Sequence, residues 1–108
     1  MQTFNCPYLK GEVELTDERE AHIAHTYPDL LPEYLVQMGQ TLAALDQIRR
    51  SLRMSSARMF YRWHEKVRQG KYVVIVVVSE SMPVVRHWII TAYLTRRLAN
   101  GEIEWHKN

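Results

Sequence analysis

One uninterrupted run of β-forming residues, Tyr72–Ser79, constrains this chain more than any other segment. Branched side chains pack well on a pleated strand, whereas in a helix they crowd the preceding turn. A strand that is apolar at nearly every position has no polar face for solvent, so the run predicts a central strand buried on both sides. It is also much shorter than the ~20 apolar residues of a membrane-spanning helix. We therefore expect a sheet protein without a membrane segment.

The segments around this run predict further antiparallel strands. Over Ile48–Arg53 the even-numbered residues are Ile48, Arg50 and Leu52 and the odd-numbered residues are all polar, and Met59–Lys66 is rich in aromatic residues. Arg68–Lys71 contains Gly70 and is typical of a hairpin turn into the central strand. After a break at Ser81–Pro83, Arg86–Leu94 is again rich in β-forming residues, and Glu102–Trp105 fits a final edge strand.

Two helices are predicted before these strands. Thr16 and Asp17 offer N-caps for a helix over about Asp17–Thr26, which Pro28 limits because the residue before a proline avoids helical angles. A second helix should begin near Asp29–Pro32. Its apolar residues recur at steps of three and four: Leu31, Tyr34, Leu35, Met38, Leu42 and Leu45. Helices followed by strands indicate an α+β fold, with two N-terminal helices packed on one face of an antiparallel sheet of about four to five strands. The length fits a single domain over residues 1–108.

The cysteine and glycine content narrows the class of protein. Cys6 is the only cysteine, so the chain forms no internal disulfide and has no cysteine cluster for zinc. Its first residues lack the basic and then apolar pattern of a signal peptide, which predicts a cytoplasmic protein. The four glycines are scattered and form no phosphate-binding loop, so we expect no cofactor.

Charge is distributed unevenly along the chain. Residues 1–47 carry two basic and eight acidic residues, whereas residues 48–71 carry eight basic residues and one acidic residue, Glu65. A basic block of this kind suggests an anionic partner. The alternative is a solvated strand face balanced by an acidic helical layer.

Strand alternation predicts which side chains share the basic face. In the strand after Pro83 it separates a core set, Trp88, Ile90, Ala92 and Leu94, from an outer set, His87, Ile89, Thr91 and Tyr93. If the polar sets of three strands coincide, one face carries Arg49, Arg53, Arg62, His64, Lys66, His87, Thr91 and Tyr93. Arginine pairs with phosphate, aromatic rings stack on unpaired bases, and histidine transfers protons near neutral pH. The face therefore suits RNA, with RNA-binding roles for Arg53, Arg62, His64 and Lys66.

The first predicted helix carries a separate candidate group. Glu18, His22 and His25 lie at i, i+4 and i+7, roughly on one face. That spacing fits a metal site, a proton-transfer role for His22, or plain packing and capping. No further ligand stands out, so we expect no bound metal.

Six segments spread over most of the chain form a pattern: Cys6–Leu9, Glu20–Ile23, Pro28–Pro32, Gln47–Ser51, Ala57–Arg58 and His87–Tyr93, of which the last ends in a Thr-Ala-Tyr element. Together they resemble a family of small prokaryotic proteins grouped with the phage-associated barnase–EndoU–colicin–RelE-like nucleases. The resemblance implies an N-terminal helix with an antiparallel sheet and metal-independent RNA cleavage. It also implies a toxin that is often paired with an antitoxin or immunity protein. By resemblance, the catalytic positions are His22, Arg49, Arg58, Thr91 and Tyr93.

The chain departs from this family at Tyr27, where relatives often carry a second histidine before the helix-ending proline. Tyrosine, with a reference pKa of about 10, is a poor base at pH 7. The chain is then either a weakened nuclease or one that uses His87 instead.

Three functions remain open at this point. The first is a metal-independent endoribonuclease with His22 or His87 as base and with Tyr93 or the other histidine as acid. The second is a non-catalytic RNA-binding module, and the third is an interaction protein whose basic face binds an acidic partner.

Overall fold

The computed structural model describes all 108 residues, which form seven strands and two helices. In chain order these are β1 (Gln2–Cys6), β2 (Gly11–Leu15), α1 (Asp17–Thr26), α2 (Leu35–Ala43), β3 (Gln47–Arg50), β4 (Ala57–His64), β5 (Lys71–Glu80), β6 (Arg86–Thr95) and β7 (Ile103–His106). A short 3₁₀ turn, Pro7–Leu9, joins β1 to β2.

All seven strands belong to one mixed sheet, in the order β1-β2-β6-β5-β4-β3-β7. Neighbouring strands are antiparallel except β2 and β6, which are parallel and pair at Val13 with His87 and at Glu14 with Trp88. The predicted antiparallel sheet of four to five strands behind two N-terminal helices is therefore wrong. A hairpin of β1 and β2 precedes the helices and joins the sheet beside β6, because β7 crosses to the far edge and leaves that position open.

The central strand is confirmed. β5 is the fourth of the seven strands, and its residues Val73–Val77 are buried. Because side chains alternate, each face of β5 supports its own core. The face toward the helices, called the helix-side face here, packs Ile75 and Phe60 against Met38 and Leu42 of α2. The opposite face carries a smaller apolar cluster: Ala57, Met59, Tyr61, Val74 and Val76.

Helix α1 has the predicted limits. The hydroxyl of Thr16 accepts a hydrogen bond from the backbone N–H of Arg19, which satisfies one of the free donors of the first turn. Pairing with β2 covers only the first part of β6, and α1 packs beside the rest. Ile23 enters the helix-side core, while Tyr27 at the end of α1 contacts Tyr93.

Helix α2 begins at Leu35, later than the predicted start near Asp29–Pro32. The residues before it form turns that bury both Leu30 and Leu31. Met38 and Leu42 are buried as the apolar pattern predicted. Neither helix has the length and apolar content needed to cross a membrane.

A β-bulge in β6 determines which of its side chains share a face. Val76 pairs with Thr91 and Val77 pairs with Ile89, so Ile90 is an extra residue without a partner on β5. The alternation is reset at that point. The predicted division of the β6 side chains between the two faces of the sheet is consequently wrong.

The two real sets follow from the strand register. His87 and Ile89 lie on the helix-side face with Ala92 and Leu94, while Trp88 lies on the opposite face with Thr91 and Tyr93.

The connection from β6 to β7 crosses the opposite face, because these strands are separated by β5, β4 and β3 in the sheet. Leu98 packs on the apolar cluster there, and the carbonyl of Ala99 accepts a hydrogen bond from Arg49 Nη1 at 2.9 Å. At Gly101 the connection approaches β3 so closely that an added Cβ would clash with the carbonyl oxygen of Arg50. The crossing chain forms one wall of the cleft that the opposite face contains.

Candidate nucleic-acid interface

A cleft of about 560 Å³ opens on the opposite face of the sheet. Its floor is apolar and is formed by Ala57, Met59, Val76 and Ile90. The walls come from the loop between β3 and β4, from the crossing connection, from β6 and from the end of α1. They contribute Tyr27, Ser51, Leu52, Arg53, Met54, Thr91, Tyr93, Ala99 and Asn100. An apolar floor with a few polar groups at its walls is the usual form of a ligand site.

Two tyrosines form the aromatic part of this cleft. The rings of Tyr27 and Tyr93 have centroids 5.9 Å apart and planes inclined by 38°. Burial, with a contribution from the Tyr27 phenol, raises the pKa of Tyr93 although Arg53 acts against it. Tyr93 is therefore protonated at neutral pH, so it can donate a hydrogen bond or a proton but cannot serve as a base.

The cleft is electropositive because Arg53 is the only charged residue that lines it. None of the ion pairs in the protein involves Arg53, Arg96 or Arg97. The last two are exposed at the start of the connection that crosses this face. A ligand with an aromatic or apolar body and a negative charge fits these surroundings.

Arg49 lies on the same face but is engaged by the protein. Its guanidinium donates to the side chain of Gln47 and to the carbonyl of Ala99. The bond to Ala99 holds the crossing connection against β3, so Arg49 has a structural role in the fold.

The other predicted site residues lie elsewhere, so the prediction of one shared basic face is wrong. Arg58 pairs with Val77 and Arg62 pairs with Val73, which places both on the helix-side face together with His87. The physical reason is again the register, since the bulge at Ile90 separates His87 from Thr91 and Tyr93.

Arg62 and His64 connect β4 to α2. Arg62 Nη1 donates to the carbonyl of Gln40 at 3.1 Å, and His64 Nε2 is 2.9 Å from the hydroxyl of Thr41. Because that hydroxyl itself donates to Gln37, the imidazole nitrogen acts as the donor to Thr41. Burial, followed by the charge of Arg62, lowers the pKa of His64. These contacts serve the packing of α2.

His22 and Lys66 are both exposed, and neither lines the cleft. His22 lies on α1, but it is Tyr27, the residue that follows this helix, that reaches the cleft. Glu18, His22 and His25 do not form a cluster with metal-binding geometry.

Arg58 and His87 belong to a separate network on the helix-side face. Arg58 Nη1 donates to Glu104 Oε2 at 3.0 Å, and Arg58 Nη2 donates to Ser79 Oγ at 3.0 Å. Ser79 Oγ in turn lies 2.6 Å from His87 Nδ1, and Tyr8 Oη donates to Glu104 at 2.7 Å. Burial, followed by the charge of Arg58, lowers the pKa of His87.

Sequence reasoning missed several of these residues. Ser51 and Asn100 reach the cleft from loops, and only the turn-forming residue types around them gave a signal. Tyr8 and Glu104 meet across 96 positions of sequence. No local pattern indicates that contact.

No family model matches the chain, and neither a curated protein nor a solved structure is significantly similar to it.

Proposed function

We propose that this chain binds single-stranded RNA and cleaves it without a metal ion, with one nucleotide seated in the cleft of the opposite face. One observation supports this proposal above all others. Arg53, Thr91 and Tyr93, which the sequence marked as candidates, line the same cleft as Tyr27, and no acidic side chain lines it. An unpaired base stacks on aromatic rings, and a phosphate pairs with a guanidinium.

The chemistry proposed here is transesterification within the RNA. The 2′-oxygen attacks the adjacent phosphorus, the bond from phosphorus to the 5′-oxygen breaks, and a 2′,3′-cyclic phosphate forms. Arg53 stabilises the charge of the phosphorane, as preorganised cations do for developing charge. Tyr93 supplies the proton to the departing 5′-oxygen, while the proton of the 2′-hydroxyl passes to water.

The composition of the cleft also favours a second candidate, RNA binding without cleavage. No histidine and no carboxylate lines the cleft, so the protein supplies no strong base for the 2′-hydroxyl. We therefore expect the cleavage of bound RNA to be slow. If the protein cleaves RNA, the partner that we propose for it is an antitoxin or immunity protein that inhibits the cleavage. We propose that the protein acts in the cytoplasm, where RNA is abundant.

The test is cleavage of end-labelled single-stranded RNA in the presence of EDTA. We expect 2′,3′-cyclic phosphate ends from the wild type. Tyr93→Phe should slow cleavage at least about tenfold with little change in affinity, because a proton-transfer group typically contributes about 10²–10⁴-fold in rate.

Tyr72→Phe is the matched control, because Tyr72 packs beside the same apolar cluster and does not line the cleft. Equal rates for Tyr93→Phe and Tyr72→Phe would remove Tyr93 from the mechanism. Activity that is lost in EDTA and restored by a divalent metal would contradict the metal-independent reaction. RNA that binds but stays intact would favour the non-catalytic candidate.

A further inference from the structure

The carboxylate of Glu104 is held by donors from three different parts of the chain. Tyr8 Oη donates to Oε2 at 2.7 Å, and Arg58 Nη1 donates to the same oxygen at 3.0 Å. Arg50 Nη2 lies 3.2 Å from the other oxygen, Oε1. The side chain of Glu104 is only 15% exposed. A site that gathers two guanidinium groups and a phenol around one small anion has the composition of an oxyanion site.

One of the two oxygens of Glu104 is poorly satisfied. Glu104 Oε1 is buried and accepts no well-aligned hydrogen bond, although Arg50 is close to it. Beyond Arg58 the network continues to Ser79 and His87, which Glu104 does not contact. A tetrahedral anion directs its oxygens more widely than a planar carboxylate, and so it can align with Arg50 while it keeps Tyr8 and Arg58 as donors.

The residue that occupies the site comes from a short strand at the edge of the sheet. β7 is a four-residue edge strand that pairs only with β3, and its register shifts between Ile48 and Arg49. Its side chains at Ile103 and Trp105 are exposed. Short strands at the edge of a sheet open locally more readily than central strands do.

We infer that Tyr8, Arg50 and Arg58 form a phosphate-binding site on the helix-side face, and that Glu104 occupies this site as an internal competitor. The ligand is a phosphate oxyanion, either free or as part of a nucleic-acid backbone. Phosphate binds when the carboxylate is removed or when β7 moves away. The site lies on the helix-side face and the proposed RNA cleft lies on the opposite face, so an experiment can reject either proposal without rejecting the other.

Thermal unfolding of the full chain tests this inference. The melting temperature is measured for the wild type and for Glu104→Gln in sodium phosphate and in sodium chloride of equal ionic strength. We expect phosphate to raise the melting temperature of Glu104→Gln by about 4 °C or more over chloride, since a ligand that binds only the folded state stabilises it. In the wild type the rise should be smaller, because the carboxylate competes for the same donors.

Two further variants keep the test specific. Glu14→Gln removes a carboxylate from a single exposed arginine, Arg86, and should show no larger rise than the wild type, whose rise includes the general stabilisation by phosphate. Glu104→Gln combined with Arg58→Met should lose the rise. Equal behaviour of Glu104→Gln and the wild type would overturn the inference, as would an equal rise in Glu14→Gln or in the double variant.

Two ligand sources are separated by a second probe. A response of Glu104→Gln to dimethyl phosphate as well as to inorganic phosphate would support a site for backbone phosphodiesters. A response to inorganic phosphate alone would support a site for free or terminal phosphate. If Glu104→Gln does not fold at low ionic strength, Glu104→Ala is refolded with and without phosphate. An equal yield of folded protein in the two conditions would count against the site.

Discussion

The affinity for RNA should fall with rising salt concentration, and the arginines on the opposite face of the sheet should determine how steeply it falls. Three arginines on or beside the cleft, Arg53, Arg96 and Arg97, take part in no ion pair and can each neutralise one phosphate. For single strands each such contact contributes about 0.7 to the slope of log affinity against log salt, so three contacts give a slope near about −2. Raising the salt from about 50 to about 200 mM should then weaken binding about 20-fold.

Replacement of one of these arginines changes the slope by a defined amount. Arg53→Met should reduce its magnitude by about 0.7, so that the same change of salt weakens binding only about 7-fold. Arg86→Gln is the control, because Glu14 already neutralises Arg86 through contacts of 3.0 to 3.2 Å to both of its carboxylate oxygens. The assay is fluorescence anisotropy with labelled single-stranded RNA at several salt concentrations. An unchanged slope for Arg53→Met would refute a phosphate contact in the cleft.

Two further predictions concern stability. In the folded protein the pKa values of His64 and His87 lie below the ordinary histidine value of about 6.5, so in that pH range the unfolded chain binds more protons than the folded protein. The free energy of unfolding in urea should therefore fall as the pH falls below about 6.5. The double variant His64→Gln with His87→Gln should flatten this dependence. Gly101→Ala should cost about 1–3 kcal/mol in urea unfolding, because the added methyl would clash with the carbonyl oxygen of Arg50. Gly11→Ala, whose added methyl would meet nothing closer than 4.0 Å, should be nearly neutral, and equal costs for the two variants would contradict the close approach at Gly101.

Local patterns predicted the elements that local forces determine. The limits of α1 follow from the cap at Thr16 and the stop at Pro28, and the central position of β5 follows from its apolar composition. The parallel pairing of β2 with β6 was not predicted, because it joins Val13 to His87, which is far away in sequence. Nothing near either residue encodes that contact.

The candidate site was predicted only in part, for a similar reason. Arg53, Thr91 and Tyr93 meet in the cleft, but Arg58 and His87 face the helices. One extra residue, Ile90, causes the division of β6, and a strict alternation of two cannot reveal such a residue. Tyr27 reaches the cleft because α1 packs beside β6, which only the tertiary structure determines.

The most direct test of the proposed RNA site is a nuclear magnetic resonance titration of the labelled protein with a short single-stranded RNA. The proposal predicts that the largest shifts fall on amides around the cleft, at Tyr27, Arg53, Thr91 and Tyr93. The amides of Arg62 and His64, which lie on the helix-side face beside α2, should change little. Shifts confined to the helix-side face, or no shifts at low salt, would contradict RNA binding in this cleft.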